Sequence, residues 1–295
     1  MKRRKRASVD GTVAGSPPLL IYMQGILASL NPAEKLIAEY ILKDPERVLY
    51  HTISEMREHT GASVGSIVGF SRSLGVRGFA ALKIALAREL AQGGLAASDN
   101  ALDSKTASVF DQVFQFHAKS LAETRQINSE ETMLRASRAL ERARRIQFFS
   151  TGLSYAVAYT AYCKFRLIGL AAYTESDSHM QLVCATQLGK RDVAFGISCS
   201  GRTRETVECL RIARERKATT LCLTNSMMSP ITAHADIALH ATPSEIKYFQ
   251  APTASRVTQL AVLDALFVSI ALRRKSRTTT QLHRINEELL GHRLL

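Results

Sequence analysis

The sequence predicts an all-α domain followed by an α/β domain whose parallel sheet carries helices on both faces. Three observations predict it. From about Leu19 to Ala91 every strong periodic signal is helical, and two capping-box sequences stand among them. After about Thr106, apolar runs of strand length alternate with helical stretches, the order of a parallel sheet. The 295 residues suffice for two ordinary domains, and 46% hydrophobic with 22% charged residues is globular composition.

Residues 1–17 read as a disordered basic arm, with Lys2 to Arg6 all cationic, then Gly, Ser and Pro. Leu19–Leu30 is fairly apolar. Pro17, Pro18 and Gln24 interrupt it and no small-residue cleavage site follows, so a secretory leader is not expected. Asn31-Pro32-Ala33-Glu34 is a helix start: Asn31 caps, Pro32 fits the first turn, and Glu34 completes the box. Leu36, Ile37, Tyr40 and Ile41 recur on one face until Asp44-Pro45 stops the helix. Thr52-Ile53-Ser54-Glu55 is a second box, opening a short helix with Ile53, Met56 and Thr60 on one face and Gly61 at its end. Ser63 caps a third helix that buries Ile67, Phe70 and Leu74, and a fourth runs from about Gly78 to Ala91. The helical domain thus spans 18–92. Gln92-Gly93-Gly94 and the small polar residues after it read as a linker over 93–106.

The second domain, 107–290, starts with a long amphipathic helix carrying Val109, Val113, Phe116 and Leu121. Asn128 opens another, with Glu131 at the boxed position. Strands are expected at Ile146–Phe149, Leu170–Tyr173, Asp192–Ile197, Thr219–Leu223 and Ile237–His240. Helices are expected at Ser154–Leu167, Met180–Leu188, Thr203–Arg216 and Val257–Leu272. The face Val257, Leu260, Leu263, Leu266, Phe267 and Ile270 is core or dimer seam.

Composition narrows the partners. Lys and Arg total 39 against 26 acids, a net charge of +13, which points to nucleic acid, a phosphorylated ligand or a membrane surface. No stretch reads as the roughly 18 apolar residues of a spanning helix, so no membrane is expected. Tryptophan is absent and aromatics are 6%, which argues against a stacking platform for single strands. The five cysteines (163, 184, 199, 209 and 222) show no CxxC spacing. Reduced thiols, a cytoplasmic location, no metal and no cofactor are therefore expected.

Residues 53–70 have the layout of a helix, a glycine-containing turn and a second helix capped by Ser63. Read as a DNA reader, the second helix enters the major groove and presents Ser63, Val64, Gly65, Ser66 and Val68. The serines would bond phosphates or base edges, and Val64 would touch a thymine methyl. A plain helical hairpin has the same layout. The residues that follow resemble the N-terminal domain of the RpiR family of bacterial transcriptional regulators. Ser63, Ser66, Ile67, Phe70, Arg72, Leu74, Gly75, Gly78, Phe79 and Lys83 fit that family's run. Two positions depart: Gly69 stands where the family usually has arginine, and Arg57 where a small residue is usual. The resemblance implies duplex DNA binding, with Arg72 joining the contact set.

The strongest chemical motif is Ser198-Cys199-Ser200-Gly201-Arg202-Thr203, between an apolar strand and a helix. A helix N-terminus offers unpaired N–H groups and a positive dipole end, Gly201 permits close backbone approach, and hydroxyls donate to phosphate oxygens. A serine-rich strand-to-helix turn with an ordinary cap is the other reading. Ser150-Thr151-Gly152-Leu153-Ser154 and Thr224-Asn225-Ser226 follow two other strands in a similar way, so all three loops share the carboxyl edge where open α/β sheets bind ligands. The arrangement over roughly 107–290 resembles the SIS (sugar isomerase) domain. That resemblance implies a phosphosugar held by Ser154, Ser198, Ser200 and Thr203, with Gly152 and Gly201 shaping the loops. Ser150 stands where the family usually has another glycine.

SIS domains also occur in isomerases, which need a base beside a carbonyl. His179, His234 and Glu245 are candidates, and Glu245 with Ala251-Pro252-Thr253-Ala254-Ser255 looks like a segment of arabinose-5-phosphate isomerases. A helix-turn-helix and a basic arm serve no isomerase, so the expectation is a regulator of a carbohydrate catabolic operon with no catalytic residues. A sugar-phosphate isomerase or lyase is the alternative. A homodimer or homotetramer is expected, because a helix-turn-helix commonly reads a palindromic site. The arginines at 135, 138, 142, 144 and 145 read as a solvated helix face or a DNA contact, and Arg273–Arg277 as a favourable helix end.

Overall fold

A computed structural model describes residues 17–91, 108–243 and 254–290. They form two compact units, the first ending at Val109 and the second starting at Phe110. The expected arm (Pro17 apart), the expected linker, Glu245 and Ala251–Thr253 lie outside the described residues.

The first unit is all helical: α1 (Leu19–Ile26), a 3-10 turn at 27–29, α2 (Pro32–Lys43), α3 (Pro45–Tyr50), α4 (Ile53–Thr60), α5 (Val64–Ser73) and α6 (Phe79–Ala91). Both capping boxes form, at Asn31/Glu34 and Thr52/Glu55. Asp44 stops α2 and caps α3, its carboxylate accepting from the Arg47 N–H. No side chain of its own caps α1. Glu89 of α6 does so from a distance, accepting from the N–H groups of Leu19 and Leu20 at 2.5 and 3.1 Å. Ile37, Ile41, Met56, Ile67, Phe70 and Leu82 are wholly buried at the centre. One expectation fails here: Leu36 is 52% exposed, and Ala38 takes its place on the inner face of α2.

The second unit begins with α7 (Val109–Ile127) and α8 (Glu130–Arg142). Then come β1 (Arg145–Phe149), α9 (Leu153–Leu167), β2 (Ala172–Thr174), α10 (Ser178–Thr186), β3 (Asp192–Ile197) and α11 (Arg204–Glu215). β4 (Thr219–Thr224), α12 (Pro230–Ala233), β5 (Ile237–His240), α13 (Ala254–Arg273) and α14 (Lys275–Leu290) complete it. The five strands are all parallel in the order β2-β1-β3-β4-β5. Phe148, Phe195, Leu221 and Leu239 point into a core shared with α8, α9 and α13, while Ala194 and Cys222 face α10 and α11 across the sheet. The order reverses between β1 and β3, which leaves a crevice at their carboxyl ends.

Several local expectations change. Ser129, not Asn128, caps α8 by accepting from the Thr132 N–H. Asn128 instead pairs with the backbone of edge strand β5: its Nδ2 donates to the His240 carbonyl at 2.6 Å and its Oδ1 accepts from the His240 N–H at 3.0 Å. The amide so continues the ladder past β5 and blunts an exposed sheet edge. α7 buries Ser120, Glu123 and Thr124 and exposes Val109 and Leu121. Its inner face meets polar strand ends rather than apolar core, with Thr242 bonded to both Glu123 and Thr124. Arg144 lies beyond α8 and clamps Asp192 at the start of β3 in a two-pronged pair of 2.9 and 2.8 Å. Burial alone would raise the Asp192 carboxyl, but Arg144 and the Gly189 N–H hold it below the usual carboxylate range. Arg273 does end α13 as a cation in its last turn, but the rest of the run opens a further helix, since α14 starts at Lys275.

α13 also corrects the membrane expectation. It is long and apolar enough to span a bilayer by length and composition. Its Leu263, Leu266 and Ile270 are instead buried in the sheet core, while Val257, Leu260 and Phe267 on the same face are half-buried. None of the five cysteines is in a disulfide, and burial pushes the Cys209 and Cys222 thiols up to about 12.

His240 gives this unit a pH dependence. Its Nδ1 is buried without a hydrogen-bond partner among the described residues. Burial depresses the imidazole from 6.5 to about 4. The unfolded chain therefore binds a proton that the folded chain refuses, and the stability contributed by neutral His240 is lost as pH falls from about 6.5 towards 4. Urea melts of wild type and His240→Gln at pH 7 and pH 4.5 check this. Wild type should lose about 1–3 kcal/mol more than the variant on acidification. Equal losses would show that His240 is solvated.

Candidate functional site

The carboxyl edge of the sheet is built around two strand-to-helix loops. β1 runs into Ser150-Thr151-Gly152 and then α9, and β3 runs into Ser198–Thr203 and then α11. Gly152 has φ +57° and ψ −135°, a region only glycine enters freely. Ser150 is clamped by Gln181 of α10: the Gln181 Oε1 accepts from the Ser150 N–H at 3.0 Å, and its Nε2 donates to the Ser150 carbonyl at 2.8 Å. Serine in place of the expected glycine thus sits fully buried in a rigid backbone turn.

In the second loop, the Ser198 hydroxyl accepts from the Gly201 N–H at 3.1 Å and shares a hydrogen bond of 2.9 Å with the Thr203 hydroxyl. Thr203 holds the N-cap position of α11, yet its side chain makes no cap bond. Gly201 has φ +64°, and its backbone carbonyl accepts from the Ile231 N–H at 3.1 Å. Ser200 is exposed, its hydroxyl accepting from the Arg202 N–H at 3.2 Å. Ser154 is half-buried in the first turn of α9. The six sequence-selected positions, Gly152, Ser154, Ser198, Ser200, Gly201 and Thr203, therefore fall on two adjacent loops at the switch point.

The two helix N-termini there are chemically alike. Neither α9 nor α11 is capped by its own side chain, whereas Ser129 caps α8 and Asp177 caps α10. Buried hydroxyls at this edge add unspent hydrogen-bonding capacity: Ser150 Oγ and Thr206 Oγ1 find no partner among the described residues. Uncapped helix termini with flanking hydroxyls have the chemistry to receive an anion.

The third loop behaves differently. Asn225 is buried and its amide is spent internally: Nδ2 donates to the Thr242 carbonyl and to Ser255 Oγ, and Oδ1 accepts from Gln259. Thr224–Ser226 opens no helix directly, since α12 starts at Pro230. This loop buttresses the site, with Thr224 and Ser229 packed on Gly201. Among the histidines weighed as bases, His179 is exposed on the first turn of α10, and His234 is half-buried at the end of α12.

In the first unit, α4 and α5 are joined by Gly61-Ala62-Ser63, with Gly61 at φ +67° and Ala62 buried. Ser63 Oγ accepts from the Ser66 N–H at 3.0 Å and shares a hydrogen bond of 2.9 Å with Ser66 Oγ. Ser63, Val64, Gly65 and Arg72 are exposed on α5, while Ser66 and Val68 are half-buried, less open than the pattern suggested. Lys83 is partly spent on structure, donating to the His51 carbonyl at 2.9 Å beyond α3. Gly69 is exposed, and a Cβ there meets nothing within 4 Å. Gly69→Arg should raise fold stability by about 1 kcal/mol through helix propensity. It should also steepen the salt dependence of DNA binding by about one charge. Thermal melts and binding at several salt concentrations check both effects. A flat salt response would place this face away from DNA.

Comparison with known proteins identifies both domains. Residues 18–93 match the family model for the helix-turn-helix domain of the rpiR family, and 139–269 match the SIS domain. The HTH-type transcriptional regulator HexR of Pseudomonas aeruginosa is 34% identical over 280 residues, covering 93% of this chain and 96% of that protein. Among solved structures, the Vibrio vulnificus NanR protein complexed with ManNAc-6P shares the fold at 23% identity and a TM-score of 0.61, covering 94% of this chain and 100% of that one. The sugar isomerase domain of an RpiR transcription factor from Sphaerobacter thermophilus superposes with a TM-score of 0.57 at 26% identity, over 61% of this chain and 99% of that one. HexR is named a transcriptional regulator, and its match runs nearly end to end through both units. The chain therefore belongs to the RpiR family of helix-turn-helix transcriptional regulators that carry a C-terminal SIS domain.

Proposed function

We propose that the chain binds duplex operator DNA through α5 and changes its affinity for that DNA when a phosphosugar seats at the sheet edge. Domain 18–92 reads the DNA, with Ser63, Val64, Gly65, Ser66, Val68 and Arg72 as contacts. Domain 107–290 holds the effector, its phosphate taken by Gly152, Ser154, Ser198, Ser200, Gly201 and Thr203. The observation that carries this reading is the pair of uncapped helix termini, α9 and α11, side by side at the switch point. The phosphosugar named with the NanR structure supports the ligand class. The regulated genes belong to carbohydrate catabolism, the working form is a cytoplasmic homodimer or homotetramer, and no membrane takes part.

Effector and operator affinities are linked by the difference in effector affinity between the two states, typically about 1–3 kcal/mol. A thermal-shift screen over phosphorylated sugars identifies the effector, because a ligand of the native state raises its stability. Gel shifts across an effector titration then test the site. A charge-assisted hydrogen bond is worth about 1.5–3 kcal/mol, so Ser200→Ala and Thr203→Ala should each shift the response to roughly ten- to a hundredfold higher effector. DNA affinity without effector should hold. If both variants respond at the wild-type concentration, the phosphate is held elsewhere. If both lose DNA binding outright, these residues are structural.

A further inference from the structure

Two arginine runs that stand far apart in the sequence meet in the fold. α8 carries Arg138 and Arg142 four residues apart on one face, and the α13–α14 junction carries Arg273, Arg274, Lys275 and Arg277. Together they line a cleft of about 690 Å³ whose lining residues include one carboxylate, Glu141. That carboxylate is already paired with Arg273 at 2.8 Å. No ion pair forms to the other five cations among the described residues. Arg274 also keeps a buried Nη1 without a hydrogen-bond partner among them. Gathering like charges in a concave site raises the local anion concentration and disfavours the protein alone.

We propose that this cleft is a second anion site, taking a small anion with two or more phosphate groups. The size suits a small molecule, since ligand sites commonly run to about 300–1,000 Å³. The lining has no aromatic ring to stack a nucleobase, so the recognised chemistry is charge density rather than a base. Arg138 and Arg142 of α8 with Arg274, Lys275 and Arg277 of the junction bring enough unpaired positive charge together to meet more than one phosphate.

The cleft is distinct from the effector loops. α13 starts beside the Ser198–Thr203 loop, where Ser255 Oγ shares a 3.2 Å hydrogen bond with Cys199 Sγ. Its other end, Arg273, lies in the cleft. Twenty helical residues separate the two by about 30 Å. The proposal does not depend on what those loops bind.

The test is calorimetric titration of the full chain with tripolyphosphate and, separately, with orthophosphate at low ionic strength. Tripolyphosphate should bind at one per chain and clearly tighter than orthophosphate. Arg142→Ala with Arg277→Ala should weaken it at least tenfold, while the lysine pair at the same positions keeps most of the affinity and controls for folding. Ser200→Ala with Thr203→Ala should leave it unchanged. Loss in the serine–threonine pair but not the arginine pair would put the anion in the effector loops and overturn the proposal. So would tripolyphosphate binding no tighter than orthophosphate. A third overturning result is an arginine pair that weakens duplex DNA binding and leaves tripolyphosphate alone, which would make the surface a DNA contact.

Discussion

Gly201→Ala should abolish the effector response and lower the melting temperature of the SIS unit by about 5–15 °C. The added Cβ would stand 2.2 Å from Ser229 Oγ, 2.7 Å from Ser229 Cβ and 2.9 Å from Thr224 Oγ1. Rotating the serine hydroxyl relieves the first contact but not the other two. The backbone is also left-handed there, with φ +64°, which costs a non-glycine residue about 1–2 kcal/mol. Overpacking adds about 1–3 kcal/mol, and in a unit of this size each kcal/mol moves the midpoint by about 2–4 °C. Function suffers with stability, because relief requires the Ser198–Thr203 loop to move away from β4 and α12. Ser229→Gly combined with Gly201→Ala should recover part of the lost stability, since it removes the two closest contacts and leaves the backbone strain. Gly152→Ala is the comparison: its φ is also positive, but a Cβ there meets nothing within 4 Å, so strain acts alone and the loss is smaller. Thermal melts with and without effector decide. A Gly201→Ala protein that melts within a degree of wild type and still responds would show that this loop accommodates a side chain and is not the tight cradle described.

Much of the fold was legible because its signals are local. Asn31/Glu34, Thr52/Glu55 and Ser63 each satisfy N–H groups three residues away, and all three form as their spacing implies. The boundaries of β3 and β5 match the apolar runs residue for residue, since both are short runs bounded by turn residues. What was illegible is long-range. Asn128 has the chemistry of a cap, but the open edge of β5, 112 residues on, takes its amide. The periodicity of α7 shows apolar positions and cannot show that its inner neighbours are polar strand ends. Arg273–Arg277 reads as a helix end because cations favour C-termini, and α13 does end at Arg273, but the run does not show that Lys275 begins another helix. The same limit applies to the sites. Ser198–Thr203 is visible as one run of six residues, whereas the Gln181 clamp on Ser150 and the packing of Ser229 on Gly201 need the sheet to bring them together. The meeting of α8 with the α13–α14 junction belongs to the same class.

Ser66→Glu should leave the helical domain as stable as wild type, or slightly more so, and reduce specific DNA binding by about a hundredfold. The two effects separate cleanly because of where Ser66 sits. It is the third residue of α5, and its N–H already bonds Ser63 Oγ. Glutamate at that position completes a capping box with Ser63, as Glu34 does with Asn31 and Glu55 with Thr52 in the same domain. A carboxylate in the first turn also complements the helix dipole, worth about 0.3–1 kcal/mol. α5 has no acid in its first turn at present, which leaves its N-terminus open to an anion from outside. In a groove-bound helix that anion is DNA. A carboxylate placed there meets phosphates and acceptor-rich base edges, and a penalty of about 3 kcal/mol corresponds to that hundredfold loss. Ser66→Gln completes the same box without charge and should keep much more of the affinity. Fluorescence anisotropy on operator DNA at fixed salt, beside thermal melts of each variant, reads both quantities. Binding kept within about threefold by a stable Ser66→Glu protein would mean that the N-terminus of α5 does not enter the groove.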